Sequence, residues 1–342
     1  EDLVPLVPSM GSVGASGDLI PMANAVAAFC GEGEVWLKGE RMPAAEALDR
    51  LGWQPIPLEG RDSLALVNGT PLMSAAGCVA LERARVRLSA ASALTALLFD
   101  LLGCHDQPIR TKLHEASGHD THVRAANAIH HFASGIDKDG RGRPLQESYS
   151  LRCAPQVIGA ALTAWEQANE VVTREINGVT DNPIFDADGD QVIHGGNFFG
   201  QEVAFAMDHL TNAMVQVANL VERQLALLME PAQTDGLNLM LSPRPGAASG
   251  FAGVQLCATA IVAEMRRTAM PASIQTLPTN GMNQDIVPLG THAALNTLAM
   301  IEKLDIVIGA LGLAIRQAFY LADRQPESLI GNSLPALFAM DP

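Results

Sequence analysis

The sequence predicts a mainly α protein, a bundle of long helices with small β-hairpin decorations. Three observations carry that prediction. Of 342 residues, 48% are apolar and only 17% charged, enough to fill a large core. Apolar side chains recur at spacings of three and four over stretches far longer than an average helix. Strand signals are confined to short runs beside Gly and Asp turns.

Taken in order, the segment Asp18 to Cys30 follows a glycine-rich loop and reads as a helix. Val35-Trp36-Leu37 with Lys38-Gly39 as the turn predicts a hairpin. The Ala/Leu-rich stretch from Ser74 to Leu102 predicts the first long helix. Ile184-Phe185 facing Gln191 to His194 across Asp188-Gly189 predicts a second hairpin. A stripe of Val203, Met207, Leu210, Met214, Val217, Val221, Leu225 and Leu228 predicts a long buried helix. Leu298, Ile301, Leu304, Ile308, Leu311, Ile315 and Phe319 repeat the pattern. Ala293 to Leu321 is apolar on more than one face, which predicts burial in a bundle interior or an oligomer interface. Pro/Gly-rich loops at 136–146, 230–250 and 268–285 bring no change of composition, so residues 1–342 are read as one helical-bundle region.

Charge narrows the partners. The formal charge of -15 and pI near 4.9 oppose binding to nucleic acid or an anionic membrane surface. The longest apolar candidates, Leu88 to Cys104 and Leu304 to Ile315, are interrupted by Asp100 or too short to span a bilayer. No export signal opens the chain. Cys30, Cys78, Cys104, Cys153 and Cys257 are odd in number and scattered, as expected of reduced, buried thiols, and a cytoplasmic location follows. His114, His119 and His122 match no zinc template and read as a surface loop, with no metal expected. His130-His131 reads as a partly exposed helix segment.

The most unusual segment is Gly11-Ser12-Val13-Gly14-Ala15-Ser16-Gly17-Asp18-Leu19. It lacks the strand, glycine spacing and Lys-Ser/Thr of a phosphate loop, so no nucleotide is expected. It also lacks the GxSxG spacing of a serine nucleophile. By composition it reads as a flexible loop. A further reading uses the whole tripeptide: Gly17 nitrogen attacks the Ala15 carbonyl and Ser16 dehydrates, an approach that only glycine permits.

This segment resembles the signature of the histidine, phenylalanine and tyrosine ammonia-lyases and their aminomutase relatives. Ala65-Leu66-Val67-Asn68-Gly69-Thr70 resembles the family's second block, and Tyr149-Ser150-Leu151-Arg152-Cys153, with Gln146 upstream, its third. Val179-Thr180-Asp181-Asn182-Pro183, His194-Gly195-Gly196-Asn197-Phe198 and Asn283-Gln284-Asp285 follow in family order. The resemblance implies an ammonia-lyase-like helical fold and a 4-methylidene-imidazol-5-one formed autocatalytically from Ala15, Ser16 and Gly17. It implies that Asn68, Gln146 and Gln284 hydrogen-bond that group or the substrate, and that Arg152 grips the substrate carboxylate with its fork of donors. Tyr149 would stand beside the reacting amine, and Asn182 and Phe198 would line the pocket. It also implies a homotetramer with shared active sites and an aromatic amino acid as substrate.

Asp285 stands where histidine-specific members carry Glu, and Asn280 resembles the tyrosine-using branch. Both point to L-tyrosine or L-phenylalanine, giving coumarate or cinnamate. A 2,3-aminomutase, a histidine ammonia-lyase, an inactive scaffold and a serine hydrolase at Ser16 are the alternatives. The family's base is a tyrosine preceding the Ala-Ser-Gly block, whereas this chain's two tyrosines are Tyr149 and Tyr320. These 342 residues alone are therefore expected to be inactive, with a base-bearing segment and a C-terminal segment lying outside them.

Overall fold

The computed structural model describes residues 2–136 and 142–338. Residues 137–141 of the 136–146 loop, and the chain end at Asp341-Pro342, lie outside the described residues. Chain order is β1 (Leu3–Pro5), α1 (Leu19–Phe29), β2 (Glu34–Leu37), β3 (Glu40–Pro43), α2 (Ala44–Leu51), α3 (Asp62–Val67) and α4 (Pro71–Leu102). Then come α5 (Thr111–Glu115), α6 (Asp120–Phe132), α7 (Tyr149–Arg152), α8 (Ala154–Ile176), β4 (Ile184–Asp186) and β5 (Gln191–Ile193). The chain continues with α9 (Gln201–Leu228), α10 (Ala252–Thr268), α11 (Gly290–Leu321), α12 (Leu329–Asn332) and α13 (Pro335–Phe338). The mainly helical prediction and its three long helices therefore hold.

Two compact units divide these elements. Glu1–Val79, Ala168–Asp208 and Pro271–Thr297 form the first. Ala80–Gln167, His209–Met270 and Leu298–Pro342 form the second.

In the first unit β1, β2 and β3 make an antiparallel sheet in which Val35 opposes Met42. Lys38 and Gly39, both at positive φ, form the tight turn whose twist suits the flanking strands. Val35, Leu37 and Met42 pack with Ala28, Ala44 and Ala47 into a small core under the sheet. β4 and β5 pair as the second predicted hairpin. β1 escaped prediction because three residues beside prolines carry no alternation.

In α9 every residue of the predicted stripe is buried, from Val203 to Leu228. Each such side chain contributes about 1.5–3 kcal/mol on leaving water. In α11 the buried register runs through Ile301, Leu304, Val307, Leu311 and Ile315, with Ile308 only half-buried. Ile306, Leu313 and Tyr320 are exposed, so this helix is apolar on more than one face.

The second unit is tied by buried polar anchors. Gln224 Nε2 donates to Thr95 Oγ1 and to the Ser150 carbonyl, each at 2.9 Å. Trp165 Nε1 donates to the Leu81 carbonyl at 2.7 Å. α8 and α10 went unpredicted, since each mixes polar residues into its apolar face.

Two expectations need correction. Of the three histidines read as a surface loop, His119 is exposed in the loop before α6, but His114 lies buried in α5 with Nε2 2.8 Å from the Pro108 carbonyl, and His122 lies within α6, its ring 4.7 Å from that of His119. Burial holds the His122 imidazole below its ordinary pKa, with His119 and His114 adding to the effect. The cysteines are free, but only Cys104 is buried, while Cys78 and Cys257 are exposed. Arg152 ends α7, one residue before α8.

Candidate active site

The glycine-rich loop folds back on itself. Gly17 bridges Gly14 and Ala15 on one side and Gly69 on the other. The Asp18 N–H donates to the Gly69 carbonyl at 2.7 Å, and the Gly69 N–H reaches the Ser16 carbonyl at 3.4 Å. Gly17 has φ +66°, and a Cβ there would lie 1.6 Å from the Gly69 carbonyl oxygen. Gly69 has φ +116°, and a Cβ there would lie 2.6 Å from Thr180 Oγ1. Two glycines back to back let the two backbones touch, and no side chain fits at either place.

Three helices begin at this loop. α1 starts directly after Asp18, α4 two residues after Gly69, and α11 after Leu289, whose N–H donates to the Val13 carbonyl at 3.0 Å. Their positive dipole ends favour negative charge here. The fully buried Asp18 carboxylate meets that field. Although Asp18 precedes α1, its side chain caps α4: Oδ2 accepts the Met73 N–H at 2.8 Å. Its Oδ1 is held by the hydroxyls of Thr291 and Ser12.

Ser16 is half-buried, and its hydroxyl accepts from Gln284 Nε2 at 3.1 Å. Gln284 is aimed by Thr279, whose hydroxyl donates to Oε1 at 2.7 Å. Between them the backbone passes through positive φ at Asn280, Gly281 and Met282, leaving Asn280 exposed.

Asn68, at the end of α3, donates from Nδ2 to Asp181 Oδ1 at 2.7 Å. Arg61 Nη1 donates to Asp181 Oδ2 at 2.7 Å and Nη2 to the Asn182 carbonyl at 2.7 Å. The Arg61 guanidinium holds the Asp181 carboxyl below the usual carboxylate range, with Asn68 helping. Asn182 Oδ1 accepts the Gly195 N–H at 2.7 Å, joining the two loops that carry Asn182 and the half-buried Phe198.

Gln146, Tyr149 and Arg152 belong to the second unit. Arg143 and Glu147 form a buried bidentate pair at 2.8 and 2.6 Å on either side of Gln146. Arg143 Nη1 also donates to the Gln233 carbonyl at 3.0 Å. The Arg152 guanidinium stacks 4.7 Å over the Tyr149 ring, which is 71% exposed and therefore accessible to a ligand. Arg152 Nε is buried with no hydrogen-bond partner among the described residues. Tyr149 borders a groove of about 640 Å³ between α8 and α9, lined also by Cys153, Gln156, His209 and Arg223.

Of the sequence-predicted residues, the first unit gathers Ala15, Ser16, Gly17, Asn68, Asn182, Phe198, Asn280 and Gln284. The supporting residues Arg61, Thr279 and Thr291 carried no sequence signal, and Ser12 stood inside the first recognised block with no role assigned. Asp18 and Asp181 stood inside recognised blocks; for Asp18 a carboxylate beside small residues and a helix start was the available hint.

The chain belongs to the aromatic amino acid lyase family, whose profile matches residues 1–339. It is 39% identical over 301 residues to a histidine ammonia-lyase of Geobacillus kaustophilus, covering 87% of this chain and 60% of that protein. The chain thus spans about three fifths of the length of such a relative. Its fold matches a tyrosine aminomutase from Streptomyces globisporus with TM-score 0.91 and 32% identity, covering 99% of this chain and 67% of that one. A phenylalanine aminomutase of Pantoea agglomerans matches with TM-score 0.90 and 30% identity, over 97% and 68% of the two chains.

Proposed function

We propose that the protein is an aromatic amino acid ammonia-lyase that removes ammonia non-oxidatively from L-tyrosine or L-phenylalanine, giving coumarate or cinnamate. The observation that carries this reading is the Ala15-Ser16-Gly17 turn, pressed against Gly69 with the Ser16 hydroxyl held by Gln284. Its residues fit a 4-methylidene-imidazol-5-one: small Ala15, a serine that loses its hydroxyl, and a residue 17 with no room for a side chain. That group supplies an electrophilic alkene that makes the substrate amine a good leaving group.

This chain's own residues supply the rest. Arg152, with its unpartnered buried Nε, binds the substrate carboxylate. Tyr149, half of the Arg152 stack, hydrogen-bonds beside the amine. Gln284 and the helix N-termini hold negative charge that develops near Ser16. Asn68, Asn182, Phe198 and Asn280 shape the pocket around the tripeptide, and Gln146 is assigned to hydrogen-bond the substrate. The exposed apolar side chains of α11 support self-association, which we assign to a homotetramer with shared sites. Among the described residues no helix is long and apolar enough to cross a membrane.

Asn280 and Asp285 favour tyrosine or phenylalanine. The 39% identity to a histidine lyase favours histidine as the second substrate reading, and the fold match to tyrosine aminomutase favours migration of the amine as the second outcome. The test is to incubate the full-length protein with L-tyrosine, L-phenylalanine and L-histidine and follow the aryl-acrylate absorbance. Coumarate or cinnamate is expected. Urocanate alone would replace the substrate assignment, and a β-amino acid would replace the lyase with a mutase.

A further inference from the structure

One oxygen touches both ends of the Ala15-Ser16-Gly17 turn. Ser12 Oγ accepts the Gly14 N–H at 3.0 Å and lies 3.1 Å from the Gly17 carbonyl oxygen. Ser12 is only 7% exposed, so water has little access to replace it. Its single hydrogen has two acceptors within reach, the Gly17 carbonyl and Asp18 Oδ1, each at 3.1 Å. Thr291 belongs to the same buried cluster. Its hydroxyl donates to Asp18 Oδ1 and lies 3.0 Å from Ser12 Oγ, while the Met73 N–H serves Asp18 Oδ2. Ser12 Oγ thus links the Gly14 N–H to the Gly17 carbonyl and to Asp18 Oδ1.

We propose that Ser12 is a positioning residue for ring closure, an inference that rests on the loop being the source of the imidazolone. It pins Gly14 and Gly17 together and so holds the Gly17 nitrogen towards the Ala15 carbonyl carbon. In the closure, the Gly17 nitrogen bonds to that carbon and its hydrogen passes to the carbonyl oxygen. The resulting hydroxyl leaves with the Ser16 N–H hydrogen as the first water, and a C=N bond forms. The Ser16 Cα hydrogen and side-chain hydroxyl leave as the second, and the exocyclic alkene forms. No oxidant or co-reactant enters, and Ser12 forms no covalent bond. Its contribution is orientational: a pinned turn has already surrendered the freedom that competes with closing a five-membered ring. A serine that merely stabilised the turn would raise stability without changing the closure rate.

The experiment follows closure in time. The full-length protein is made by cell-free synthesis, sampled at intervals, and the proteolytic peptide spanning Gly11 to Leu19 is weighed. The wild-type peptide is expected to become two waters lighter. Ser12→Ala is expected to close on the order of tenfold more slowly, the effect of one lost hydrogen bond on a barrier. Ser12→Thr, which keeps the hydroxyl, is expected to restore most of the rate. Ser12→Cys keeps the shape but donates weakly, and decides the matter should Ser12→Ala fail to fold. Slow closure by Ser12→Cys at an unchanged Tm supports the proposal. Wild-type closure rates in the folded serine replacements overturn it alone. A wild-type peptide of unmodified mass overturns the functional reading and this inference with it.

Discussion

At Gly17 a hydrogen in place of a side chain decides whether the site exists. A Cβ would meet the Gly69 carbonyl at 1.6 Å, so Gly17→Ala must displace backbone. It is expected to cost about 3 kcal/mol or more and to leave the loop peptide at unmodified mass, read by denaturant melts and mass spectrometry. Ser16→Ala, by contrast, removes only a half-buried hydroxyl. Its stability is expected within about 1 kcal/mol of wild type while deamination disappears, and residual turnover would refute the assignment. Arg152→Lys swaps a fork of donors for a point charge and is expected to weaken substrate binding by roughly 1.5–3 kcal/mol, measured as KM or by calorimetry.

Asp181 gives the residue scale a pH dependence. The Arg61 guanidinium holds its carboxyl below the ordinary value of 3.8. A folded value lower than the unfolded one stabilises above the unfolded value, and that stabilisation is lost as pH falls through it towards the folded value. Denaturation midpoints should therefore drop below about pH 4 in the wild type, and drop less steeply in Asp181→Asn. Equal slopes would remove this pair from the acid response.

At the scale of elements, charges that interrupt helices prove to be anchors. Asp100 breaks the apolar run of α4 and in sequence only argued against a membrane span. Folded, it is fully buried and accepts from the Glu327 and Ser328 N–H groups at 2.9 and 2.8 Å and from Arg324 at 3.2 Å. Asp100→Ala orphans those donors and is expected to destabilise by about 2–4 kcal/mol in urea unfolding, whereas a neutral result would mean the segment finds other acceptors. Asp18 follows the same logic at the loop, where one carboxylate ties the starts of α1, α4 and α11 together. The long helices were legible because period and length are local properties. The capping of one helix by the residue before another was not, since its partners lie far apart in sequence.

For the molecule as a whole, the question is what covers its remaining apolar surface. Ile306 and Leu313 on α11 and Leu256 on α10 are more than half exposed. Side chains of this kind at an interface core account for oligomers more often than isolated exposed residues do. Ile306→Glu combined with Leu313→Glu is expected to shift the solution mass from the proposed tetramer towards smaller species by light scattering. An unchanged tetramer would move the interface to another face.

By itself the sequence determined the helical class, the extent of the three long helices, both predicted hairpins and the family to which the chain belongs. These follow from composition, from the 3.6-residue period and from a contiguous motif, all of which act over short stretches of chain. Only the tertiary structure decided that Gly69 closes on Gly17, that Gln284 reaches Ser16 across 268 positions, and that Asn68 is oriented by Asp181 and Arg61. It also decided that His114 is a buried core residue and that Ser12 spans the turn. The physical reason is that hydrogen bonds and steric exclusion act over a few ångströms of space, and nothing in a linear order of residues records which of them folding brings that close.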